Sequence, residues 1–124
     1  MVHFPDRSPA SGQTAGPPTS GTLDVLRERV RQIEAGYDAE HDDMWNENEL
    51  VLAARDYLTW HALGREPAAA STPPSSWPFP RVDWKPSDDA RAHLVKVAAL
   101  LVAEIDRLDR ETERLAAVAA GAEV

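Results

Sequence analysis

The chain has 124 residues, a formal net charge of -8 and a pI near 4.9. That balance excludes a general nucleic-acid binder and a protein held on an anionic membrane surface, because affinity for a polyanion comes from Lys and Arg neutralising phosphates. With no cysteine there is no disulfide framework, thiolate ligand or thiol nucleophile, so any metal must use oxygen or imidazole. The chain opens without a basic start and apolar run, and no stretch of about eighteen apolar residues could span a bilayer; the expected location is the cytoplasm, that of a host if the chain is phage-encoded.

Residues 1-21 are rich in Pro, Ser, Gly and Thr, and their few apolar residues have no period, which predicts a disordered arm. Residues 22-124 read as one helical domain. A core drawn from roughly a hundred residues is marginal alone and gains from oligomerisation. The spacing predicts a first helix from a Thr22 cap to about Ala35, with Leu23, Leu26, Val30, Ile33 and Tyr37 as its apolar face and Gly36 at its end. Arg27, Glu28, Arg29, Arg31 and Glu34 read as a solvated polar face.

Asp38 to Glu49 then holds six acids and His41, with no Lys or Arg between Arg31 and Arg55. Such a run repels itself unless a cation or a partner neutralises it. A second helix is expected from Asn46 or Asn48, with Asn46 and Glu49 as a capping box, and Leu50, Ala53, Ala54, Tyr57, Leu58 and His61 turned inward. Gly64 ends it, and Pro67 follows.

Residues 65-86 hold six of the ten prolines. The second half of this connection, Trp77 to Pro86, is too aromatic for a free linker, so its rings should pack back on the helices. The last helix is the clearest element, capped by Ser87 and running to Ala117 or beyond. Leu94, Ala98, Leu101, Ile105, Leu108, Thr112 and Leu115 alternate steps of four and three, a heptad seam that predicts a homodimer through this helix. The fold class is therefore mainly α, a small bundle of three principal helices with a long C-terminal one.

The chemistry is expected where the acids gather. Hard cations need several oxygen ligands, and neighbouring carboxylates stay ionised together only around a cation, so Asp42, Asp43 and Glu49 are candidate ligands for Mg²⁺ or Mn²⁺. Helix capping is the alternative use of the same acids. His41 and Glu40 are the candidate catalytic groups, while His61 and His93 read as packing histidines. Glu104 stands in an apolar run and would need a partner if buried. Trp77 and Trp84 could cover a nucleobase, and Lys85 could meet phosphate.

The words Gln32-Ile33-Glu34, Glu40-His41-Asp42-Asp43, Glu49-Leu50, Trp77-Pro78-Phe79, Trp84-Lys85-Pro86 and Leu94 to Arg110 resemble a family of small bacteriophage and prophage proteins to which no activity is attached. The last helix is also distantly similar to that of the MazG-like, all-α nucleoside triphosphate pyrophosphohydrolases, which bind Mg²⁺ through carboxylates on neighbouring helices. The paired Glu-x-x-Glu and Glu-x-x-Asp motifs of that family are absent, and His93 stands where its final helix would carry an acid. The resemblance implies a phage accessory protein that binds a nucleotide through a divalent cation and splits a triphosphate to monophosphate and pyrophosphate. The alternative is a non-enzymatic acidic module docking on a basic host-protein surface, and a plain structural dimer is a third.

Overall fold

A computed structural model describes residues 16-66 and 70-121. These form four helices: α1, Ser20–Glu34; α2, Ala39–Asp43; α3, Glu49–Ala62; and α4, Ala90–Ala119. Among the described residues there is no strand, and no helix is long and apolar enough to cross a membrane. Most of the expected arm lies outside the described residues, although its last two residues, Ser20 and Gly21, already belong to α1.

The ends of the helices follow local chemistry, with the caps displaced by a few residues. Thr19, not Thr22, caps α1, its Oγ accepting from the Thr22 N–H at 3.4 Å. Gly36 stops α1 at φ +108°, a conformation that a side chain would resist. The acidic turn folds into α2, because Asp38 accepts from the His41 N–H at 3.0 Å and supplies a cap. Helix α3 starts at Asn48, in the left-handed region at φ 70° and without a side-chain cap, so Asn46 plays no capping part. Asp89, not Ser87, caps α4 by accepting from the Ala92 N–H at 3.2 Å.

Helix α4 is the spine, 30 residues long. Asp24 early in α1 pairs with Arg91 early in α4 at 2.8 Å, and Asp43 in α2 pairs with Arg110 further along at 2.7 Å. The chain from α1 to α2 thus runs alongside α4 in the same direction. Helix α3 returns antiparallel, since Tyr57 and Trp60 near its end meet His93 near the start of α4. Both α1 and α3 pack chiefly on α4 rather than on each other, which leaves a slot between them.

The core is aromatic, with Ala54, Tyr57, Trp60, Trp84 and Val97 at its centre. Tyr57 is its hub. Its ring stacks on Trp84 at 4.9 Å, and its hydroxyl donates to the Asp83 carbonyl at 3.2 Å and accepts from the Lys85 N–H at 3.0 Å. Those bonds fasten the Pro/Trp-rich connection to α3, as its aromatic content suggests. Burial pushes the Tyr57 phenol up to about 12.

The expected inward face of α3 holds for Leu50, Ala53, Ala54 and Tyr57, with Leu58 exposed, whereas those of α1 and α4 are largely reversed. Leu26, Val30 and Ile33 of α1 are exposed, while Arg29 and Gln32 are buried. On α4 the seam residues Leu94, Leu101, Ile105, Leu108 and Leu115 are exposed, and the inward side carries His93, Val97, Ala103, Glu104 and Arg107. Burying those charges is feasible because they are paired: Arg107 grips Glu104 at 2.7 and 3.1 Å and Glu111 at 3.0 Å. The partner that a buried Glu104 was expected to need is Arg107, one turn on.

His93 is a packing residue, fully buried, with Nδ1 accepting from the Ser87 N–H at 3.2 Å and Nε2–H donating to the Tyr57 carbonyl at 2.9 Å. Both ring nitrogens are used by the neutral imidazole. Burial first, then the charges of His61, Lys96 and Arg65, lowers its pKa against the raising effect of the Tyr57 carbonyl. The unfolded chain therefore binds this proton more readily than the native one. Stability should be flat above the ordinary histidine value of about 6.5 and decline as pH falls below it towards the native value. Thermal melts across that window check this, and a His93→Gln variant should lose the decline there; the ion-paired carboxylates Asp24 and Asp43 titrate only at lower pH.

Candidate functional site

The slot between α1 and α3 is a cavity of about 560 Å³, within the range of small-molecule sites. Helix α4 supplies its floor with Lys96, Leu100 and Ala103. Helix α1 supplies Glu28, Arg29, Arg31 and Gln32, and α3 supplies Leu50, Ala53 and Tyr57. The rim is a chain of rings: Tyr37 meets His41 at 5.0 Å, His41 meets Trp45 at 6.0 Å, Trp45 meets Phe79 at 5.0 Å, Phe79 meets Trp77 at 5.8 Å, and Trp77 meets Tyr57 at 5.1 Å. Most of these contacts are edge-on or tilted, the geometry that the ring quadrupole favours.

One buried ion pair sets the closed end. Arg29 Nη2 donates to Asp42 Oδ2 at 2.8 Å, with the carboxylate side chain only 1% exposed, and Nη1 donates to the Tyr37 carbonyl at 3.0 Å. Asp42 Oδ1 lies 3.1 Å from His41 Nδ1, and the Trp45 indole N–H donates to His41 Nε2 at 3.3 Å. With Nε2 accepting, the proton of neutral His41 sits on Nδ1 and points to Asp42. The acid orients the histidine, and the histidine orients Trp45 on the cavity wall.

Cationic side chains outnumber acidic ones in the lining of this cavity. Arg29 Nε is buried and has no hydrogen-bond partner among the described residues. Lys96 Nζ donates to the Lys85 carbonyl at 2.6 Å and sits 5.2 Å from the centre of the Tyr57 ring, and it makes no ion pair among the described residues. Burial pushes the Lys96 ammonium down, with Glu28 opposing the shift. Glu28 itself is held by both Arg31 Nε and Nη2 at 2.7 Å, and that contact keeps its carboxyl below the ordinary value. Lys85 also lines the cavity. In a chain that is acidic overall, this lining carries four cations, Arg29, Arg31, Lys85 and Lys96, against three acids, Glu28, Asp42 and Asp83, and neither lysine makes an ion pair among the described residues.

The expected site residues divide. His41, Asp42, Trp77 and Lys85 come together around the cavity. Trp84 does not line it, because it is buried in the core against Tyr57. Glu40 is exposed on α2. Asp43 turns the other way, held by Arg110 at a smaller hollow that Asn46, Arg107, Glu111 and Arg114 share, and the arginine keeps its carboxyl below the usual range. Glu49 accepts from the Glu47 N–H at 2.7 Å and so serves the helix start. Asp42, Asp43 and Glu49 are not brought together, and among the described residues no three His, Asp or Glu side chains form a group that could hold a metal ion.

Sequence reading missed Arg29, Gln32, Tyr37, Trp45 and Lys96 as site residues. Lys96 carried a signal, as a single lysine inside an apolar helical run. Arg29 carried none, since it looked like one of several surface charges. The chain matches no family model, no curated protein and no solved structure.

Removing the guanidinium should expose the cost of the closed end. Arg29→Met leaves Asp42 buried without its countercharge and should destabilise by about 3–5 kcal/mol. The double variant Arg29→Met/Asp42→Leu should regain most of that loss, and urea unfolding of both variants checks the pair.

Proposed function

We propose that this chain binds a small planar anion of the nucleotide class in the cavity between α1 and α3. The observation that carries the reading is an aromatic cavity whose lining holds more cations than acids, with neither Lys85 nor Lys96 in an ion pair among the described residues. Rings that line a cavity favour a flat partner, and ammonium groups beside them favour phosphate or carboxylate. Trp77, Phe79 and Trp45 would cover the flat part, and Lys96 and Lys85 would meet the charge.

In this reading the protein meets the anion directly. A bound Mg²⁺ or Mn²⁺ would need carboxylates that the fold has paired elsewhere, Asp42 with Arg29 and Asp43 with Arg110. The acids therefore serve as countercharges that hold cationic side chains in place. Hydrolysis of a triphosphate, with His41 as base, draws less support than binding, because both His41 ring nitrogens are engaged by Asp42 and Trp45. The acidic docking module draws less as well, since Asp42 and Asp43 of the acidic run are neutralised within the chain.

A thermal-shift screen of nucleosides and their mono-, di- and triphosphates, in chelator and again in Mg²⁺, tests this. Phosphorylated ligands should raise Tm by several degrees at saturation in chelator, and nucleosides by less. Lys96→Gln should weaken binding about tenfold, or about 1.4 kcal/mol. No shift with any nucleotide sinks the proposal, and a shift confined to Mg²⁺ restores the metal-dependent reading.

A further inference from the structure

Helices α1 and α4 each line the cavity with one side and expose apolar side chains on another. On α1 the lining residues are Glu28, Arg29, Arg31 and Gln32, while Leu26, Val30 and Ile33 are 54%, 53% and 43% exposed. On α4 the lining residues are Lys96, Leu100 and Ala103, while Leu101, Ile105 and Leu108 are 39%, 57% and 47% exposed. At about 100° per residue, each exposed set points roughly 140–150° away from its own lining set. Both sets therefore point away from the cavity, on adjacent parallel helices.

We infer that this back face is covered by a second copy of the chain. Six large side chains about half exposed, with Val95, Ala98 and Val102 partly exposed beside them, present roughly 600 Å² of largely apolar surface. That is at the top of the roughly 300–600 Å² range for the largest patch on a monomer and approaches the roughly 800 Å² that each partner buries in a stable complex. The pattern on α4 selects the partner. Leu94, Ala98, Leu101, Ile105 and Leu108 step by four and three, the repeat that interlocks with another helix bearing the same repeat, and a two-fold axis brings two such faces together. No Lys, Arg, Asp or Glu stands among these seam positions, so the net charge of -8 on each copy need not be buried at the contact. The far end of α4, exposed from residue 112 onward, carries Leu115 in the same stripe, 58% exposed.

None of the exposed seam residues lines the cavity, so the dimer and the ligand site can fail separately. Sedimentation equilibrium and light scattering from low to high micromolar concentration should give twice the chain mass of 13.6 kDa. Leu101→Glu/Ile105→Glu should give the single-chain mass with unchanged helical circular dichroism, because both positions face solvent in the single chain. A cysteine placed at Leu108, the only thiol in the variant, should crosslink chain to chain under mild oxidation if the seams meet. A wild-type protein that stays at the single-chain mass at high concentration overturns the inference. So does a double-glutamate variant that keeps the doubled mass, since the contact would then lie elsewhere.

Discussion

Asp42 is almost completely withdrawn from water, and the countercharge that makes this possible comes from the preceding helix. A carboxylate at that depth is tolerable only if a cation and hydrogen bonds replace its hydration, and Arg29 and His41 supply them. Through this pair α2 is drawn onto α1, Gly36 and Tyr37 are folded into the corner between them, and the ring of His41 is set in one tautomer. Trp45 is bonded to that ring, and Phe79 lies against Trp45. The closed end of the cavity and half of its aromatic wall therefore depend on a single buried ion pair.

The same economy appears along α4. Its inward side carries a histidine, a glutamate and an arginine, each satisfied locally: His93 by two backbone groups, Glu104 and Arg107 by each other. Polar groups so arranged give directional bonds to an interior that would otherwise be held by dispersion alone. The leucines that could have filled this space are turned outward, so the single chain buries polar pairs and exposes apolar seams. That inversion makes sense in an assembly, where the outward seam becomes interior.

Charge also separates by region. The acids that give the chain its negative balance are mostly on the outside or paired with arginine, and the cavity retains the unmatched ammonium groups. Net charge governs what the whole surface repels at a distance, whereas a cavity shielded by low-dielectric walls is governed by the few groups that line it. An acidic protein can on these terms hold an anion, provided the cations lining the cavity outnumber the acids there.

Helical class, the length of α4, the stops at Gly36 and Gly64, the packing role of His93 and the return of the Trp-rich connection onto the helices were all legible in the sequence. They depend on local backbone chemistry or on residues too apolar to stay in water. The inward side of α3, with Leu50, Ala53, Ala54 and Tyr57, was legible too, but that of α1 and α4 was not. Leu26 and Arg29 are a turn apart, and periodicity marks an apolar stripe without saying whether it meets the rest of the chain or another copy. The acidic run was equally ambiguous, because a carboxylate seeks any cation. Only the tertiary structure decided that the cations are Arg29 and Arg110, 13 and 67 residues away in the chain. Sequence by itself determined the helices and their ends; packing alone determined the faces and the charge partners, since those depend on distances between segments that no local pattern encodes.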